Sequence, residues 1–443
     1  SLISNVGIGV FTLLYNLYLV QLGHEEDYIG RWNSVNTLVM AIVALAMGLL
    51  INRFGVWRTV SSGLVVFLVT SAFACVITEP RLLLVFAGLS GAGTAFLFVP
   101  TMPFIVDLTH SRERHHVAAL AFSLNSLSIT FGSLLGGWLP RSLSLFSGIS
   151  AQSPEAYRYT LLVGLAFAGF AIVPLLMMSG ERKRAVPQDD EQPAHGAPPV
   201  TDRRTVRRHM AVFIAVGGLM SLGAGALFPF YNVFLERQGA SAGQIGLIFS
   251  AAGLMAAFVG LMSPMVAQRL GSLKAGVLVR LAPVPFYLLL MLTPNLPVAI
   301  VAPMLRTTSI NMAWPIDSTY ISDVLPARAR ASVFSFRSGA WNLGWSISSF
   351  VAGGLIVSHG YNVAFGAYIV FMSLAMALFY AYFVRASTRS SAPAVVESVD
   401  ALSAVDLRGR SALAAAGADQ VDRLDRVAQV RDDNTPADDQ RDV

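Results

Sequence analysis

Long apolar runs, each broken by a charge, a Pro/Gly pair or a polar cluster, dominate the chain as far as about residue 384. A bilayer-crossing helix needs about 20 mainly apolar residues, and on that measure the pattern predicts twelve spans. Six fall at roughly 1–22, 29–51, 58–78, 82–106, 116–139 and 157–178, and six more at 209–236, 242–267, 275–293, 296–322, 331–357 and 361–384. Only TPNLP separates 275–293 from 296–322, and Pro294 and Pro297 favour a tight turn there over one long helix. The predicted class is an all-α polytopic membrane protein.

The pattern repeats at a fixed offset of 216 residues. Tyr15-Asn16 matches Tyr231-Asn232, Gly23 matches Gly239, and Ile29-Gly30 matches Ile245-Gly246. Arg53, Gly55 and Arg58 match Arg269, Gly271 and Lys274. Asp107, Arg112, Arg114 and Gly137 match Asp323, Arg328, Arg330 and Gly353. No gap is needed, and charged loop residues do not align so by chance. Each unit holds six spans, so the two units share one orientation, an arrangement of parallel halves known in transporters.

The predicted organisation is an N-terminal six-helix bundle over 1–178, a cytoplasmic linker over 179–208, a C-terminal six-helix bundle over 209–384, and a disordered cytoplasmic tail over 385–443. The linker is rich in Pro and charge without apolar period, and the tail is rich in Ala, Ser and Asp.

Charge sharpens the picture. Charged residues make up 13% of the chain, against about 25% in a soluble domain, which excludes a water-soluble globular enzyme. The net charge of +5 does not point to nucleic acid, because the bases sit in short runs between apolar segments. Connections on one side carry bases such as Arg53, Arg58, Arg112, Arg182, Arg208, Arg269 and Arg328, whereas the other side holds only Arg81, Arg141, Arg158 and Arg237. The positive-inside rule then places both termini and the linker in the cytoplasm, and His24-Glu25-Glu26-Asp27 outside. The expected location is the plasma membrane, with lipid as the surrounding partner and a monomer as the working unit. The sole cysteine, Cys75, permits no intrachain disulfide. The chain opens at Ser1 inside an apolar run without a basic segment or cleavage motif, so a short cytoplasmic segment ahead of it is expected rather than a signal peptide.

Twelve spans in two similar halves, with basic loops after the second and eighth, resemble the major facilitator superfamily. The segment GLLINRFGVWRTV (Gly48 to Val60) is similar to that family's loop signature, with Gly48, Arg53, Gly55 and Arg58 in register, Asn52 in the acidic place and Trp57 replacing a base. SPMVAQRLGSLK is a degenerate second copy. The resemblance covers residues 1–384. It implies the family's fold, alternating access, and a central cavity lined by spans 1, 4, 7 and 10. Two antiporter features are altered: Ala87 stands where an Arg is usual, and Ser133 replaces a Pro in GSLLGG. A cytoplasmic gate is expected from Arg53, Gly55, Arg58, Asp107, Arg112, Arg269, Gly271, Asp323 and Arg328.

Ionisable residues inside hydrocarbon are costly unless paired or facing a cavity. Arg280, Arg306, Asp317 and Arg337 are the candidates, and their mates at the 216 offset are Leu64, Ser90, Thr101 and Ala121. Asp317 and Arg337 lie at similar depth, which predicts a salt bridge or a proton-exchanging site. Arg280, Asp317 and Arg337 are read together as an intramembrane charge network. Arg306, eleven residues from Asp317, shares its helical face. Asn16, Asn232, Arg306, Asn311 and Asp317 are the expected cavity contacts, and Tyr15 and Tyr231 are candidates for an aromatic belt.

The chain has no phosphate-binding Gly-rich loop with its Lys, no zinc-binding His/Glu pair and no nucleophile elbow. The expected function is a non-enzymatic secondary transporter of a small, moderately hydrophobic organic compound. It needs no cofactor, and a proton gradient driving efflux through Asp317 is the first choice of mechanism. The alternatives are an uptake carrier or facilitator for a metabolite anion, with Arg306 and Arg280 as charge partners, and a non-transporting receptor or scaffold.

Overall fold

Apolar runs of this length satisfy their own backbone only as helices, and helices are what a computed structural model of the chain contains. It describes residues 2–100, 111–177, 203–293 and 295–390. The helices are α1 (Leu2–Gln21), α2 (Glu26–Phe54), α3 (Val56–Val76), α4 (Pro80–Phe98), α5 (Ser111–Ser147), α6 (Pro154–Gly169) and α7 (Ile172–Met177). After residue 202 come α8 (Arg203–Leu227), α9 (Tyr231–Arg237), α10 (Ala242–Gly260), α11 (Ser263–Leu270) and α12 (Ser272–Leu281). The chain continues with α13 (Val284–Leu292), α14 (Leu296–Val324), α15 (Ala327–His359) and α16 (Asn362–Ser390). Ten stretches among the described residues are long and apolar enough to cross a membrane, so the protein is an integral membrane protein. The expected spans 116–139 and 296–322 fall in α5 and α14, which are not among those ten. Both are long, but α5 opens on SRERHH and α14 carries Arg306 and Asp317. His115 and His116 sit on the helical backbone of α5.

Several expected spans are interrupted where the sequence removes a backbone donor. Pro229 sits in a 3-10 turn, Phe228–Phe230, between α8 and α9, and Pro283 lies in the break between α12 and α13. The TPNLP segment does separate two helices, α13 ending at Leu292 and α14 beginning at Leu296. Helix α8 begins at Arg203, inside the segment expected to be linker. The other linker residues, 179–202, and the tail after 390 lie outside the described residues.

The 216 offset reappears in the geometry. Gly23 and Gly239 both turn at φ 87°, and Gly55 and Gly271 at 79° and 78°, a left-handed conformation that favours glycine. Contacts between the two parts of the chain come in mated pairs. Asn16 Nδ2 donates to the Pro229 carbonyl at 2.6 Å, and Asn232 Nδ2 donates to the Leu13 carbonyl at 2.7 Å. The Ser34 and Ser346 hydroxyls meet at 2.9 Å, and Ser250 Oγ donates to the Thr130 carbonyl at 2.9 Å. Each member of one contact is 216 residues from its counterpart in the other. Gly137 and Gly246 allow α5 and α10 to touch backbone to backbone: a Cβ on Gly246 would fall 2.8 Å from the Gly137 Cα. Gly30 and Gly353 do the same for α2 and α15, where a Cβ on Gly30 would lie 3.2 Å from the Gly353 Cα.

Candidate functional site

These contacts join the halves toward one face, the one bearing Glu26, Arg237 and Tyr361. There the Glu26 carboxylate accepts from the Tyr361 hydroxyl at 2.8 Å and from Arg237 Nε at 3.3 Å, and Gln21 Nε2 donates to Glu236 at 2.9 Å. Burial, reinforced by the adjacent carboxylate, raises the Tyr361 pKa well above the phenol range, so it stays a donor. Arg31 pairs with Asp27 at 2.8 Å on the same face. At the opposite end Arg53, Arg58 and Arg269 are exposed. The Arg53 guanidinium lies 5.5 Å from the ring of its neighbour Phe54, and none of the three enters a described ion pair. Gly55 and Gly271 make the turns after α2 and α11, with open space around them. The halves are thus latched at the Glu26 face, and Arg53, Arg58 and Arg269 at the opposite face are exposed and make no described ion pair across it. Asp107 lies outside the described residues. Arg112, Asp323 and Arg328 are placed by backbone only, at the start of α5, the end of α14 and the start of α15.

Between the two ends lies a cavity of about 350 Å³, lined by Met40, Met220, Ser309, Phe334, Trp341, Asn342, Tyr368 and Met372 together with three charged residues. Asp317 on α14 pairs with Arg280 of α12 at 2.6 Å and accepts a further hydrogen bond from Arg337 of α15. The side chains are only 5 to 14% exposed, so each charge depends on the others for compensation. Small residues make the room. A Cβ on Gly217 of α8 would stand 2.8 Å from Arg337 Cγ, and the Gly276 carbonyl, one turn back on α12, accepts from Arg280 Nη1 at 3.0 Å.

Arg306 lies three residues before the cavity-lining Ser309 and on the same face of α14 as Asp317, about 16 Å from it at 1.5 Å per residue. Its guanidinium stacks on Phe228, the residue that opens the α8–α9 break. Tyr231, Tyr287 and Tyr368 are its electrostatic neighbours.

The amides are placed differently from expectation. Asn16 and Asn232 are buried, but in this conformation each amide is bonded to a carbonyl of the opposite half. Asn311 is exposed and bonds the Thr307 carbonyl of its own helix at 2.9 Å, so it does not line the cavity. Asn342 does line it. Tyr15 and Tyr231 are not belt residues: both are 2% exposed, with hydroxyls donating to the Ala74 and Ala299 carbonyls. The Glu26–Arg237–Tyr361 latch and the Trp341 wall escaped sequence reasoning. The one signal for the latch was an acidic run facing the few bases of its side.

Comparison with known proteins adds the lineage. A sequence profile described as Major Facilitator Superfamily matches residues 1–348 and 308–420. The chain is similar to the multidrug resistance protein MdtH of Yersinia enterocolitica and of Yersinia pestis, 26% identical over 130 residues in each case. That segment is 29% of this chain and 32% of the relative, so the match spans about a third of the length of the curated relatives. Among solved structures, the nucleoside transporter NupG superposes with a TM-score of 0.64 at 14% identity, covering 86% of this chain and 96% of that one. A bacterial homologue of the iron transporter ferroportin, in an inward-facing state, superposes at 0.65 with 11% identity, covering 85% and 95%. At such identities the likeness establishes the fold.

Proposed function

The chain belongs to the Major Facilitator Superfamily, and from that premise we propose that it is a secondary active transporter. It moves a small, moderately hydrophobic organic compound across the cytoplasmic membrane by alternating access, outward and in exchange for protons. Both termini are cytoplasmic, and the monomer is the working unit. The observation that carries this reading is the charged cavity closed off at one face, with Asp317 held between Arg280 and Arg337 in its wall.

Alternation requires the Glu26-face contacts to break as Arg53, Arg58 and Arg269 find partners across the other face. The cavity then changes sides without opening to both. Asp317 is assigned the coupled proton. Loading it means separating the carboxylate from both guanidiniums, and these sit on α12 and α15, so protonation and helix movement are one event. The compound packs against Trp341, Phe334 and the methionines, which adapt to varied shapes.

The test is a substrate panel in proteoliposomes, with and without an imposed pH gradient. Accumulation of an apolar organic compound that follows the gradient supports the reading. Flux of no compound under either condition defeats it. A second reading, a carrier for a metabolite anion, is favoured by one observation: Arg306 enters no ion pair among the described residues.

A further inference from the structure

Among the described residues the charges inside the bundle do not balance. Arg280, Arg306 and Arg337 face one carboxylate, Asp317, and its Oδ2 is shared by the first and third. Arg306 is left with the face of Phe228 and three neighbouring phenols. Its Nε is buried without a hydrogen-bond partner among the described residues, and so is the Tyr287 hydroxyl, on a side chain 0% exposed. The two donors come from different helices, α14 and α13. They belong to one aromatic cluster, in which Tyr287 lies 4.8 Å from Tyr368 and Tyr368 lies 5.9 Å from Phe228, centroid to centroid. Tyr368 also lines the cavity. A buried donor with no partner is costly, and more so when it carries charge. Two such donors from one cluster, one of them part of an uncompensated guanidinium, call for an acceptor carrying negative charge.

We propose that Arg306 and Tyr287 form an anion subsite at the inner end of the cavity, and that the transported compound is an aromatic or otherwise apolar organic acid. Its carboxylate, or an equivalent oxyanion, takes the Arg306 guanidinium and the Tyr287 hydroxyl. Its apolar body lies back along Ser309 and Trp341 toward the Asp317 cluster. The assignment names the substrate class for the transport reading above and rests on it only for the word transported; the binding site stands or falls separately.

The experiment uses the purified full-length protein in nanodiscs, titrated with 2-naphthoate, the neutral 2-naphthamide and a naphthyl amine of the same size, with tryptophan quenching as the readout. Naphthoate binds at least about tenfold more tightly than the amide, the equivalent of one charged hydrogen bond, and the amine is weakest. Arg306→Gln brings naphthoate to the affinity of the amide and leaves the amide unchanged. Arg306→Lys restores part of the preference, and Tyr287→Phe lowers it about threefold to tenfold. Thermal unfolding of each variant shows that it is folded. Equal binding of the acid and the amide by the unsubstituted protein overturns the proposal, as does an Arg306→Gln variant that weakens all three probes alike or no binding of naphthoate at all. Nanodiscs with anionic lipid give the same naphthoate affinity as zwitterionic ones; competition by the lipid would make the donors a headgroup site and would also overturn it. Naphthoate that binds through Arg306 yet never crosses proteoliposomes upholds the subsite and defeats the transport reading instead.

Discussion

Replacing Glu26 by Gln should release the latched face. The Glu26 side chain is 8% exposed and takes one hydrogen bond from Tyr361 and one from Arg237 across the halves. A hydrogen bond to a charged group contributes about 1.5–3 kcal/mol, which is the full weight for the buried Tyr361 bond. The Arg237 side chain is 50% exposed, so solvent leaves its ion pair about 0–1 kcal/mol. The Gln amide keeps one acceptor and loses the charge, recovering part of the first bond. The expected shift is about 1–2 kcal/mol, or roughly 5–30-fold in the ratio of closed to open at this face. A single-cysteine reporter reads it. With Cys75 replaced by Ala and Ser34, 9% exposed at the seam, replaced by Cys, an impermeant maleimide reacts only when the Glu26 face opens. Applied to whole cells, the reagent should label about 5–30 times faster in the Glu26→Gln background, because fast opening makes the rate follow the open population. The same rate in both backgrounds would refute the latch.

Other perturbations separate the remaining parts. Asp317→Asn should abolish gradient-driven flux while leaving substrate exchange, and it leaves Arg280 and Arg337 without their carboxylate, at a cost of about 3 kcal/mol read as a lower melting temperature; unchanged gradient-driven flux in vesicles would remove Asp317 as the proton carrier. Gly246→Val should wedge the seam open, because its Cβ would stand 2.7 Å from the Ser133 carbonyl oxygen. Gly243→Ala, where the nearest atom is 3.6 Å away, should leave Ser34→Cys labelling unaltered, and equal labelling in the two variants would deny the seam its role. Arg53 is exposed here, so Arg53→Ala should spare this conformation and weaken the opposite one. Labelling from the Glu26 face should therefore fall, and a rate unchanged on both sides would show that Arg53 closes nothing.

Much of the scaffold was legible because membrane helices announce themselves by length and composition, and because the offset tied loop residues such as Gly55 and Gly271 to one geometry. Helix breaks at Pro229 and Pro283 were less so: a proline inside an apolar run leaves the hydropathy nearly unchanged, and its effect depends on which neighbour takes up the freed carbonyl. In the charged wall, Asp317 and Arg337 share a depth that simple counting reveals. Arg280 is read with them as a third charge inside the membrane, and its 2.6 Å contact with Asp317 follows from the rotation of α12, which the sequence does not specify. Asn16 and Asn232 misled for a related reason. A buried amide declares that it needs a partner, but not whether that partner is a substrate or the opposite half. The cavity wall was opaque for a plainer cause, since Trp341 and Met372 recur at the same helical spacing as residues that only pack.

The offset also separates two kinds of residue. Where the halves meet, both copies keep the device: Asn16 with Pro229 and Asn232 with Leu13, Ser34 with Ser346 and Ser250 with Thr130. A seam about which two similar bodies pivot gains from being self-complementary, because contacts placed alike on both sides of the axis strengthen and loosen together. The cavity obeys no such requirement, since one compound cannot be symmetric about the same axis. Its charged wall accordingly has no counterpart. Arg280, Arg306, Asp317 and Arg337 stand opposite Leu64, Ser90, Thr101 and Ala121, and Ser90 is occupied with Asn36 at 2.9 Å. The residues that break the repeat inside the membrane are therefore the ones to read for substrate and coupling. Those that keep it are the ones to read for motion.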